Sequence, residues 1–216
     1  MSGAAETSTR PTRRTQAERT AETRARIVEA CIACIGELGF QRTTATEITR
    51  RAGVTWGAVQ HQFGDKDGIL RAVLEDSFAR FAERLAGMPG RDAPLEERVR
   101  AFVDRAWDHF GSAHYRSTFE ILLSADGLRD GDPPIWQGEM FQKWNEIWSG
   151  VFEDAPHAAA ESVALQRFTI AALTGIAALR MLEDTGRGRR IEELELLKAT
   201  LLGALSPQES VFTIAR

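Results

Sequence analysis

Apolar residues recur at three- and four-residue spacing along most of the 216-residue chain, and no stretch sustains the every-second-residue alternation of a half-buried strand. Ile27, Ala30, Cys31, Cys34, Ile35 and Leu38 fall on one helical face, and a Thr15–Glu18 capping box opens that helix, which runs to Gly39. Short helices follow at about residues 45–52 and 55–63, then a longer one at 65–86. The segment Gly87, Met88, Pro89, Gly90 breaks the pattern. Beyond it, amphipathic segments cover about 95–111, 114–124, 135–152, 158–184 and 190–205, with Pro133-Pro134, Pro156, Gly186 and Gly188 between them. The expected fold is all-α. A flexible basic arm, 1–14, precedes an N-terminal three-helix helix-turn-helix head, 15–64, which a linking helix, 65–86, and a linker, 87–94, join to a C-terminal helical body, 95–216.

The short helices carry the most specific local chemistry. Thr44 and Glu47 have capping-box spacing, so hydroxyl and carboxylate can satisfy backbone N–H groups at a helix start. Gly53 ends that helix, because glycine enters the left-handed conformation without a Cβ penalty. Thr55 caps the next one, with Val54 and Val59 at hydrophobic-staple spacing around it. Two brief helices across Ala52-Gly53-Val54-Thr55 make a helix-turn-helix, whose second helix enters the major groove of DNA.

Composition narrows this picture. With 43% hydrophobic and 27% charged residues the chain is ordinary globular protein. Its start is polar rather than signal-like, and no apolar run reaches the roughly 18 to 20 residues that cross a bilayer, so a cytoplasmic protein without a membrane partner is expected. A net charge of -4 argues against a general nucleic-acid coat. Its distribution is uneven: residues 1–71 hold 11 Lys/Arg against 8 Asp/Glu, the remainder 16 against 23. That suits a small DNA-facing head on an acidic body. The excess of Arg over Lys, 24 to 3, runs through both parts and is read as compositional bias. Cys31 and Cys34 form a C-x-x-C, but they share a helical face with apolar residues and have no further cysteine pair or histidine cluster to complete a zinc site. No metal, cofactor or redox role is expected. His61, His109, His114 and His157 form no catalytic spacing, and phosphate-binding glycine loops are absent, so no enzyme is expected.

From Gly39-Phe40 through Thr43-Thr44, Ile48, Ala52-Gly53-Val54-Thr55, Gly57, Val59, Phe63, Lys66 and Ile69, the sequence resembles the DNA-binding head of the TetR family of bacterial transcriptional regulators. The resemblance covers about residues 17–78 and departs from the family pattern at Ala45, Gln60 and Gln62, where an aliphatic residue or threonine, a tyrosine, and an aromatic or histidine are usual. It implies that Thr44, Gln60, His61 and Lys66 face phosphate, and that Thr46, Thr55, Trp56, Gly57 and Ala58 approach the major groove. Gln62 can reach a phosphate or a base edge. Trp56, first in its helix after a cap, is expected to be exposed rather than packed on the first helix.

The resemblance further implies a body that binds a small-molecule effector and dimerises. Trp136, Met140, Trp144 and Trp148 form an i, i+4 stripe, ordinarily a core face. With Trp107, Phe110 and Phe119 they are the expected lining of a cavity for an apolar or aromatic molecule, with His109, His114 and Asn145 as its occasional polar groups. Ala171, Gly175 and Ala178 on one helix, and Leu194, Leu197, Leu201, Leu202 and Leu205 on the last, either complete the core or form a homodimer face; the dimer is the favoured reading. The protein so implied is a ligand-responsive repressor that occupies a palindromic double-stranded operator as a dimer and leaves it when an effector binds. A helical adaptor that never touches DNA remains the alternative, and it would require neither Lys66 nor Trp56.

Overall fold

In the computed structural model, which describes residues 15–124, 135–155, 162–182 and 191–206, every regular element is helical. Helix α1 (Gln16–Leu38) starts with a complete capping box: the Thr15 hydroxyl accepts from the Glu18 N–H at 3.2 Å and the Glu18 carboxylate from the Thr15 N–H at 2.7 Å. After a 3-10 turn at Phe40–Arg42, α2 (Ala45–Ala52) and α3 (Trp56–Phe63) cross the turn at Gly53, which takes φ 63° and ψ 40°, the left-handed conformation. Thr55 caps α3 by accepting from the Ala58 N–H at 3.3 Å, and Val54 and Val59 pack into one cluster as a staple requires. The box expected at Thr44 forms only by half. Its hydroxyl accepts from the Glu47 N–H at 3.2 Å, but the Glu47 carboxylate turns to Arg50 and Arg51, both at 2.7 Å. Charge-assisted bonds to two guanidinium groups outcompete one bond to a backbone N–H.

Helix α4 (Lys66–Arg84) follows, capped by Asp65, whose carboxylate accepts from the Gly68 N–H at 2.8 Å. The body is built from α5 (Leu95–Phe110), α6 (Ala113–Ser124), α7 (Ile135–Phe152), α8 (Val163–Leu182) and α9 (Ile191–Leu205). Ser162 stands outside α8 and caps it, accepting from the Leu165 N–H at 3.2 Å, so this helix starts later than the pattern from residue 158 led one to expect. Residues 158–161 and 183–190, the basic arm, Pro133-Pro134, Pro156, His157, Gly186 and Gly188 lie outside the described residues.

Two apolar clusters organise these helices. The first gathers Ile27, Cys31, Cys34 and Ile35 of α1, Ile48, Ala52 and Val59 of the short helices, Ile69, Leu70, Val73 and Leu74 of α4, and Ile121 of α6. The second joins Phe81 of α4 to Phe102, Trp144, Trp148, Phe152, Leu173, Leu197, Leu201 and Leu205 of the body. One end of α4 therefore belongs to the head and the other to the body. Arg98, buried at the start of α5, locks the body's far side by donating to both oxygens of Asp154 at 2.6 and 2.8 Å and to the Val151 carbonyl at 2.6 Å. The Asp154 carboxyl is held below its ordinary range by that guanidinium.

Two expectations need correction. Leu194, Leu197, Leu201 and Leu205 do not form an outward dimer face; they are buried inside the protomer, where α9 packs chiefly on α5. The stripe was right and its partner wrong, because an apolar face of a helix does not say which surface covers it. And one helix, α8, is by length and composition apolar enough to cross a bilayer, although no single apolar run in the sequence reaches that length. Its polar residues are built into the body: the Gln166 amide donates to Asn145 at 3.0 Å, and Arg180 donates to the Gly111 carbonyl at 3.1 Å.

Candidate nucleic-acid interface and adjoining cavity

Ile48, Ala52 and Val59 bury the inner faces of the two short helices in the head's apolar cluster, where α2 packs on α1 and α3 on α4 and α2, and this fixes what they leave outward. Thr44, Thr46, Thr55, Trp56, Gly57, Gln60 and His61 are exposed, while Ala58, Gln62 and Lys66 are half-buried. Trp56 is 38% exposed, an apolar ring held out beside the N-terminal turn of α3. The free N–H groups of that turn attract anions. Lys66 at the start of α4 holds its Nζ 5.1 Å from the Phe40 ring centroid, so the cation is steered by a ring. Gln62 is half-buried, and its Oε1 is buried without a donor in the protein.

Signals absent from the motif brace this surface. Arg51 bonds Glu37 on α1 and Glu47 on α2, both at 2.7 Å, and ties the two helices together. Hydrogen bonds from Arg50, then Arg51, hold the Glu47 carboxyl down to about 2. Gly68, likewise outside the motif, acts by its missing side chain. A Cβ there would overlap the Phe63 carbonyl oxygen and come within 2.9 Å of the carbonyl carbon, so only glycine lets the end of α3 press on the first turn of α4. The body reaches the head as well: Ser117 donates to the Ile32 carbonyl and Glu120 accepts from the Phe40 N–H, both at 3.1 Å. Cys31 and Cys34 are buried free thiols, with Cys31 pushed up to about 12 by burial, as core packing rather than reactivity requires.

Further along α4, a cavity of about 190 Å³ opens against the body. Leu74, Ser77, Phe78 and Phe81 of α4 form one wall, and His109 and Phe110 of α5, Tyr115, Thr118, Phe119 and Leu122 of α6, Phe141 and Trp144 of α7, and Ile170 and Thr174 of α8 form the others. Phe81 stacks on Trp144, with centroids 5.2 Å apart and planes 7° from parallel. Ser77 and His109 approach to 3.4 Å and Tyr115 and Thr174 to 3.1 Å. Burial, then the nearby Arg84, His114 and Arg80, push His109 down to about 3, so the ring is neutral near pH 7.

Of the residues expected to line such a cavity, Phe110, Phe119 and Trp144 do so. Trp107 and Trp148 do not. Trp148 is fully buried in the core, edge-on to Phe102 and Phe152, and Trp107 is half-buried with the Arg180 guanidinium 6.0 Å from its ring. The side chains of Trp136 and Met140 lie outside the described residues. His109 lines the cavity; His114 and Asn145 do not. The α4 wall was legible in principle, since Leu74, Ser77, Phe78 and Phe81 share one helical face. Beside the cavity, Glu29, Asp76 and His114 bring donor atoms within 4.8 Å of one another, a set able to hold a metal ion; Arg80 already pairs with both carboxylates.

Residues 27–73 match the family model described as bacterial regulatory proteins, tetR family. The chain is 27% identical over 144 residues to the HTH-type transcriptional regulator CymR of Pseudomonas putida, spanning 65% of this chain and 70% of that one. It is 35% identical over 89 residues to the HTH-type transcriptional regulator BetI of Escherichia coli, but spans only 45% of that protein's length. The fold is that of SmeT in its triclosan complex, with a TM-score of 0.57 at 24% identity over 84% of this chain and 90% of that one.

Proposed function

We propose that the chain, whose residues 27–73 match the tetR family model, is a ligand-responsive repressor of that family whose dimer holds a palindromic operator until a small molecule enters the cavity. The observation that carries this reading is the double role of α4. Its first turn touches the end of α3 at Gly68, and its second half walls the cavity through Leu74, Ser77, Phe78 and Phe81. An effector that alters the seat of α4 alters the seat of the recognition helix, and differential affinity for the two arrangements sets the response.

On DNA, Thr44, Gln60, His61 and Lys66 take phosphate, while Thr46, Thr55, Trp56, Gly57 and Ala58 meet base edges in the major groove. Trp56 contributes apolar contact with thymine methyl groups rather than a paired hydrogen-bond code, since its indole has one donor. Such a protein acts where DNA lies, in the cytoplasm. Support for a small-molecule effector comes from the cavity and from SmeT, whose structure holds triclosan.

Fluorescence anisotropy with duplex DNA from the region flanking the gene, in excess competitor and at several salt concentrations, tests the reading. Saturable, competitor-resistant binding by two protomers per site is expected, with Lys66→Ala weakening it uniformly and lowering the slope of log affinity on log salt by about 1. Binding that vanishes into competitor across genome-wide fragments overturns it in favour of an adaptor.

A further inference from the structure

The cavity's own chemistry narrows what it accepts. Among the described residues its walls hold no Asp, Glu, Lys or Arg that would meet a ligand's charge. His109 is the one basic group among the described wall residues, and in its neutral state it offers a carboxylate no counter-charge.

Wall side chains also carry hydrogen-bond donors that the protein leaves unmet. Trp144 is 5% exposed, lines the cavity, and has an indole N–H that is buried without an acceptor. Tyr115 and Thr174 share a single hydrogen bond, which uses one of their two hydroxyl protons and leaves the other. Two donors of these wall residues are therefore left without an acceptor in the protein. An unmet buried donor is costly, and a ligand oxygen that meets it recovers that cost on binding.

Size supplies the third restriction. A cavity of about 150 Å³ lined by apolar side chains holds benzene, so the roughly 190 Å³ here takes one aromatic ring with a short substituent. From charge, donors and volume together we infer that the cavity selects a neutral single-ring aromatic molecule bearing a hydrogen-bond acceptor such as a ketone, ester or amide oxygen, and discriminates against carboxylates and ammonium ions of the same shape. This rests on the effector-responsive reading above, but binding and operator release are separable.

The test uses the full-length protein and four probes, acetophenone, toluene, benzoate and benzylammonium, titrated by calorimetry at pH 7.5, with operator release followed in parallel. Acetophenone should bind at least about tenfold more tightly than benzoate or benzylammonium. Trp144→Phe keeps a ring but removes the donor, and should cost acetophenone about tenfold while leaving toluene within about twofold. Benzoate or benzylammonium binding as well as acetophenone overturns the inference, as does failure of all four probes to bind the wild-type protein. Equal weakening of acetophenone and toluene by the variant overturns the role of the indole donor. The wild-type comparison stands even if the variant does not fold. Selective acetophenone binding without operator release would leave the cavity's selectivity intact and sink the regulatory reading instead.

Discussion

His109 shows what a buried titratable side chain does to stability. Its folded pKa of about 3 lies below the ordinary 6.5, so in acid the unfolded chain takes up a proton that the folded protein refuses. The stability it contributes is complete above about pH 6.5 and is lost progressively as pH falls toward 3, at up to about 1.4 kcal/mol per pH unit. His114 is displaced in the same direction by burial and adds to the slope. Urea unfolding at pH 7.5, 6 and 5 should therefore show wild type losing stability faster than His109→Gln; parallel losses would mean that His109 stays solvated. At this scale the sequence was an uneven guide. Cys31 and Cys34 were legible as core because their helical neighbours are apolar, and Trp56 as exposed because it follows a cap. Trp148 and Trp144 lie on one stripe, yet one is sealed in the core and the other lines a cavity, a difference made by helices far away in sequence.

Between elements, the junction of α3 and α4 turns on the missing side chain of Gly68. Gly68→Ala forces the Phe63 carbonyl or the first turn of α4 to shift, and should cost about 1 to 3 kcal/mol, seen as a lower thermal midpoint. Operator affinity should fall as well, because the displaced element is the recognition helix. Unchanged melting and DNA binding would show that the junction relaxes freely. Caps and turns were readable here since their chemistry is local: Thr15, Thr55 and Gly53 behave as their types dictate. Glu47 does not, because two arginines within one turn offer it stronger bonds than the backbone does.

Over the whole molecule, the last two helices leave apolar surface outside even after the leucine stripe is buried. Phe168, Leu179, Leu182 and Leu196 are exposed, Leu182 to 81%, and the backbone at Gly175 and Gly203 is open to close approach. If this surface pairs two copies, Leu179→Glu with Leu182→Glu should give a monomer in sedimentation velocity and abolish cooperative operator binding while secondary structure persists; a dimer that survives would place the pairing elsewhere. Sequence alone sets the dimer face on the last two helices, on Ala171, Gly175 and Ala178 of α8 and the leucine stripe of α9, but amphipathicity reports that a face is covered and not by what, and four of those leucines are covered from within the protomer.

Ile121 of α6 completes the head's apolar cluster from within the body, and the contacts of Ser117 and Glu120, on the turn before it, fasten it there. The recognition unit is thus not portable. A fragment cut at the glycine-proline linker would carry every residue proposed to face DNA yet lack the side chain that closes its own core, so a chimera meant to transplant this head onto another body must bring α6 with it.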